Sequence, residues 1–184
     1  IEKKSYDRDR LYVSPQGKRD GEGTRDNPLD IYSAIKFSKP GTEIILEDGM
    51  YDINERLRIE RGNSGTKGEY KTLRGEGNVV LDFSHSSYGM ELWGDYWVLS
   101  NFTIRNTIDG KKGLQIAGDH NIVEFITAEF CGDTGIQISG SSLDSKDKWP
   151  KDNLVQYCIS HDNSDSAMNN ADGFAAKLTV GEGN

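Results

Sequence analysis

Cysteine is nearly absent from this 184-residue chain. The two that occur, Cys131 and Cys158, sit in apolar surroundings, with no Cys-x-x-Cys pair and no Cys/His cluster beside them. That argues against a zinc site; two buried thiols are the expectation, and two cysteines do not fix the redox compartment. Proline is scarce, with four residues, and no apolar run approaches the roughly 18 residues a membrane helix needs. No signal peptide is legible in these residues, and a signal, if one existed, is expected to have been removed already. Excess positive charge is also missing: 30 acidic side chains face 22 basic ones, for a net charge of −8. A general nucleic-acid binder is therefore not expected. An acidic protein that grips an acidic polymer has to do so through a local basic groove or a bound cation.

Apolar residues are few, at 34%, but they are concentrated in short strand-like runs, so a folded domain is expected. Residues 1–10 form a charged lead-in. Tyr12 lies in a short strand expected to stop at Pro15, and a polar loop follows to Pro28. Asp30 is placed to cap the one convincing helix, over 30–38, with Ile31, Ala34, Ile35 and Ser38 on one face. From residue 41 onward the pattern is of strands: 43–47, 56–60 and 78–83.

The informative feature is a repeat. The segments at 89–94, 113–118 and 135–140 share the form Gly, apolar, polar, apolar, any, Gly, and a related segment begins at Gly173. Second strands at 96–99, 121–124 and 153–156 also correspond. The Gly-led segments begin 24, 22 and then 38 residues apart, and an inserted polar loop at 141–152 accounts for the longest gap. A period of this length with several short strands is a solenoid signature. The fold class is therefore all-β: a right-handed parallel β-helix with a short N-terminal capping helix, occupying 41–184 as coils in one domain. The column is expected to be truncated at its C-terminal end, since no polar capping repeat closes the pattern. Gly and Asn residues at the corners, including Asn106, Asn121, Asn153 and Asn163, suit left-handed backbone angles and need no catalytic explanation.

Polar side chains are densest between Cys158 and Lys177, where His161, Asp162, Asp165 and Asp172 lie among several amides. An oxygen-rich set of this kind suits calcium, although no EF-hand spacing is present. The stretch 170–184, preceded by Cys158-Ile-Ser-His-Asp-Asn, resembles the family 9 polysaccharide lyases, which include pectate and rhamnogalacturonan lyases. The opening at 12–17, Pro28, the helix and 41–51 are similar to the opening of the same family.

The resemblance implies calcium-dependent β-elimination on galacturonate-containing polymers, rhamnogalacturonan I or polygalacturonate; the wording of 170–184 leans to the former. It implies that Asp172 is a metal ligand, that the other acidic ligands lie about a coil later, and that the lysine base lies beyond Asn184. The chain on its own is then expected to be inactive, with no catalytic residue of its own. Lys177 is expected to be solvated or to line the groove, His161 to be a polar corner and Asp133 a turn residue. Trp97 is expected in the core, while Trp93 and especially Trp149 are candidates to stack on sugar. The implied partner is an acidic plant cell-wall polysaccharide, with neither nucleic acid nor membrane, for a secreted or cell-envelope protein that is a monomer at full length. A non-catalytic carbohydrate-binding β-helix is the rival. A pectin hydrolase would need paired carboxylates, and no convincing pair occurs on one coil.

Overall fold

The computed structural model describes residues 9–167 and 173–176. The elements in chain order are β1 (Arg10–Lys18), α1 (Ile31–Phe37), β2 (Glu43–Leu46), β3 (Gly49–Asp52), β4 (Arg58–Ile59), β5 (Lys71–Gly75), β6 (Val79–Asp82), β7 (Met90–Leu92), β8 (Trp97–Arg105), β9 (Leu114–Ile116), β10 (Ile122–Glu129), β11 (Ile136–Ile138), β12 (Leu154–Gln156), β13 (Ile159–His161) and β14 (Phe174–Ala176). A 3-10 turn, Lys146–Lys148, lies in the inserted loop.

All the strand pairs are parallel, and each coil stacks on the one before it. The first face runs β1-β2-β5-β8-β10-β12. A second face carries β3, β6 and β13 alongside the later halves of β8 and β10, which bend round the corner and join the two faces into one nine-stranded sheet. The third face is a separate five-stranded sheet, β4-β7-β9-β11-β14.

Period-two alternation fills the column. In β8, Trp97, Leu99, Phe102 and Ile104 point inward and are buried, as are Val123, Ile126 and Ala128 at the matching positions of β10. Each such aliphatic side chain contributes on the order of 1.5–3 kcal/mol on burial, so a chain of modest hydrophobicity can still be stable when its apolar residues align in one row per coil. Trp97 is fully buried, and its Nε1–H donates to the Asn63 carbonyl at 2.7 Å. Cys131 is buried, Cys158 is half-buried, and both are free thiols. Burial pushes the Cys131 thiol up to about 11, which leaves it inert.

The N-terminal helix forms as expected. Asp30 caps it by accepting from Ser33 N–H at 2.7 Å, and Ile31, Ala34 and Ile35 join the core at the end of the column occupied by β1. The strand around Tyr12 does not stop at Pro15 but continues to Lys18. Its ladder with β2 ends at Val13, so proline's missing N–H deprives no pair of a bond.

The corners correct a second expectation. Left-handed angles recur in three sets five residues apart: Tyr96, Asn101 and Asn106; His120, Phe125 and Phe130; Asp152, Tyr157 and Asp162. Of the four asparagines assigned to such corners, only Asn106 has a positive φ. Asn121, Asn153 and Asn163 lie just past the bends and are buried. Asn121 Oδ1 accepts from Trp97 N–H at 2.8 Å and its Nδ2 donates to the Gly94 carbonyl; Asn153 repeats this on Asn121 N–H and the Gly118 carbonyl. Asn163 accepts from Cys131 N–H at 2.9 Å. Amides are needed there because an inward turn leaves one backbone N–H and one C=O per coil unpaired in the interior.

The extra length of the last repeat is likewise not confined to 141–152. Gly135 follows the corner residue Phe130 by five positions, whereas Gly173 follows the matching corner residue Asp162 by eleven.

Candidate functional site

Of the residues singled out in the sequence, the third face and the turns that feed it carry Trp93, Asp133, His161, Asp162 and Asp165. Gly89, Gly113, Gly135 and Gly173 stack in register along its leading edge: Met90 N–H donates to Gly113, Leu114 N–H to Gly135 and Ile136 N–H to Gly173, at 2.8–3.1 Å. Glycine is required by proximity: a Cβ on Gly89 would sit 1.8 Å from the Lys112 carbonyl oxygen. Across this face the outward positions form one row, Arg58, Glu91, Gln115, Gln137 and Ala175.

At the front of that row is a groove of about 230 Å³ whose charged lining is Arg56, Glu91, Lys111 and Lys112, with the Tyr88 ring beside them. Arg56 grips Glu91 through two nitrogens, at 2.6 and 3.0 Å, and its guanidinium lies 4.4 Å from the Tyr88 ring centre. Lys111 Nζ is 5.7 Å from the same ring. Lys112 Nζ pairs with Asp133 at 3.1 Å. Burial opposes ionisation of Asp133, but bonds from Thr134 N–H and Lys112 outweigh it and hold its carboxyl below the usual range. Asp133 is thus a charged turn residue, as expected. The groove was missed in the sequence, where its signal was the pair Lys111-Lys112 immediately before the Gly113 segment.

Further along the same edge, His161 is a polar corner residue: Nδ1 lies 2.7 Å from Asp162 and Nε2 3.5 Å from Glu129. Asp162 is exposed on its left-handed corner. Asp165 accepts from Ala167 N–H at 2.8 Å, and Ser166 bonds back to Asp109 through both its N–H and its hydroxyl. Those bonds from the Ser166 hydroxyl and N–H lower the Asp109 pKa. The segment after β13 is therefore tied across coils to the turn before β9. Asp172 and Lys177 lie outside the described residues. Among the described residues no three His, Cys, Asp or Glu side chains are grouped so as to hold a metal ion.

The tryptophans divide. Trp93 is flanked by Arg58 and Arg61, whose guanidinium carbons lie 4.6 and 4.7 Å from its ring. Arg61 is held in turn by Asp144 of the inserted loop. Trp149 is half-buried in that loop and donates from Nε1 to the Asp144 carbonyl at 3.3 Å.

A stacked parallel column with this edge of glycines is the frame against which known proteins can be compared, and residues 11–184 match the model described as the Pel9A-like right-handed β-helix region. The chain belongs to the Pel9A-like β-helix family. Pectate lyase L of Thermoclostridium stercorarium is 44% identical over 177 residues, which are 95% of this chain and 14% of that protein. Pectate lyase L of Paenibacillus polymyxa is 37% identical over 183 residues, 95% of this chain and 40% of its own length. The crystal structure of pectate lyase Pel9A superposes with a TM-score of 0.72 at 24% identity, covering 85% of this chain and 40% of that one. The Pel9A-like chain thus spans less than half the length of these relatives. No helix among its described residues is long and apolar enough to cross a membrane.

Proposed function

We propose that this chain supplies the N-terminal coils of a pectinolytic polysaccharide lyase that cleaves galacturonate-containing polymers by β-elimination. The observation that carries the reading is the family match through residues 11–184, joined by relatives at 37–44% identity that bear the name pectate lyase. In β-elimination a base takes the C5 proton of a uronate, the C4–O bond breaks, and a C4–C5 double bond remains. The proton is weakly acidic, because the developing carbanion adjoins a carboxylate that is already negative, so catalysis requires positive charge at that carboxylate.

What the described residues offer is binding. Arg56, Lys111 and Lys112 place cationic donors along the third face of an acidic protein, which suits successive carboxylates of a polyuronate. Calcium dependence is part of the proposal and is tied to Asp172. The described residues do not themselves fit a calcium shell, so no step is built on the ion. Polygalacturonate is supported by the names of the relatives, and rhamnogalacturonan I by the wording of 170–184. The protein is proposed to act outside the cell, where such polymers are found.

Incubation of the full-length protein with each polymer, with and without a chelator, tests this. The expected result is a rising ultraviolet absorbance from unsaturated product on at least one polymer, abolished by the chelator. No absorbance from either polymer defeats the lyase reading, and retention of polymer without it favours a binding module.

A further inference from the structure

A larger cavity, of about 580 Å³, lies near the capped end of the column, between α1 and the first coils. That volume is within the range of small-molecule sites. Its charged lining is Lys36, Arg58, Arg61 and Lys71 against Glu60 alone, four cations to one carboxylate in a chain whose net charge is −8.

Lys71 is only 3% exposed. Its Nζ donates to the Ser38 carbonyl at 2.9 Å and to Asn63 Oδ1 at 2.5 Å, and both acceptors are neutral. An ammonium has three N–H groups. Among the described residues no carboxylate lies within ion-pair distance of it. A buried cation without a counter-ion is costly to keep. Arg58 departs in a different way: its side chain is partly exposed and ion-paired with Glu60, but its Nε is buried and makes no hydrogen bond. Glu60 Oε2 is 3.3 Å from that nitrogen, but the contact lacks hydrogen-bond geometry and the carboxylate is largely exposed. The Trp93 ring, 4.6 Å away, supports the guanidinium without satisfying it.

A purely structural role explains part of this. Lys71 is in register with Trp97 and, through it, with the asparagine ladder, and it satisfies the Ser38 carbonyl. A neutral amide would serve for that, however, and would leave the Arg58 donor unexplained. Lys71, a buried ammonium served by two neutral acceptors and the Trp97 ring 5.4 Å away, and Arg58, whose one carboxylate is the exposed Glu60, line one cavity and together call for an anion. The remaining wall includes Tyr32, Ile35 and Leu57, which suit an organic anion with a ring.

We infer that this cavity binds a small carboxylate-bearing sugar, a site that shares no lining residue with the groove by Tyr88, with the carboxylate held by Lys71 Nζ and the exposed part of the Arg58 guanidinium. The anion site does not depend on the lyase activity; only the choice of galacturonate as the probe rests on that reading.

Calorimetric titration of the chain with sodium galacturonate and with neutral galactose, in mildly acidic buffer, tests the inference. Saturable binding of galacturonate and none of galactose is expected. Arg58→Gln and Lys71→Met should each weaken it at least tenfold, while Lys18→Gln, on the exposed surface away from both the cavity and the groove, leaves it unchanged. Circular dichroism establishes that each variant is folded; should Lys71→Met fail to fold, Arg58→Gln decides. Equal binding of galactose, no binding of galacturonate, an affinity indifferent to Arg58→Gln, or an equal loss in Lys18→Gln overturns the site. The lyase reading is untouched by any of these results, because its assay follows elimination rather than monosaccharide binding.

Discussion

At the scale of single residues, the fold depends on polar groups placed where the backbone has no partner of its own. Asn121 satisfies Trp97 N–H on one side and the Gly94 carbonyl on the other, inside the column. Asn121→Ala leaves both unpaired and opens a small void. Urea unfolding should show a loss of about 2–4 kcal/mol. A loss within error would mean that water or a shifted neighbour replaces the amide.

Lys71 predicts a dependence on pH. Burial lowers its pKa from 10.5 to about 8. Between those values the unfolded chain holds the proton and the folded chain does not, so stability rises with pH through that window. The burial penalty is present below it and gone above it. Relative to Lys71→Met, the wild type should therefore gain on the order of 2 kcal/mol between about pH 7 and about pH 10 in denaturant titrations. A flat difference would contradict the buried ammonium.

At the scale of elements, the spacing between coils is the constraint. Parallel strands stack about 4.8 Å apart, so the turns leading into the third face pass close to the carbonyls of the next coil. A Cβ on Gly113 would lie 2.5 Å from the Gly135 oxygen and 2.7 Å from Cys131 Sγ. Gly113→Ala must push the two coils apart, and a cost of about 1–3 kcal/mol, read as a drop in thermal midpoint, is expected. An unchanged midpoint would mean that this edge is slack.

This also explains how much of the elements was legible. The Gly-led segments stood out because a side chain is forbidden there, and the strands of the third face were readable from them. β3 and β5 were not singled out, and neither were the later halves of β8 and β10. Those halves continue past a left-handed residue such as Phe125, which carries no turn signature in sequence. The stacking of Phe125 on Tyr157, with ring centres 5.2 Å apart, is visible only once the coils are superposed.

At the scale of the molecule, an acidic chain lines two of its hollows mainly with cations, the groove by Tyr88 and the cavity behind α1. The groove prediction follows from electrostatics. In affinity electrophoresis, the double variant Lys111→Gln, Lys112→Gln should be retarded less by polygalacturonate than the wild type, and the retardation should fall with added salt. Retardation equal to wild type, or equal in a neutral galactan gel, would remove the groove from polymer binding.

The sequence alone determined the periodic part of this protein: the coil repeat, the glycine edge, the capped helix and the core position of Trp97. Each of these is a local rule applied at regular intervals, so it leaves a pattern along the chain. Only the tertiary structure decided which partners the cations meet. Arg56 meets Glu91 and Tyr88, and Lys71 meets Ser38 and Asn63, across gaps of many residues set by coil stacking. A contact between coils depends on register, and no single coil records its neighbour's register.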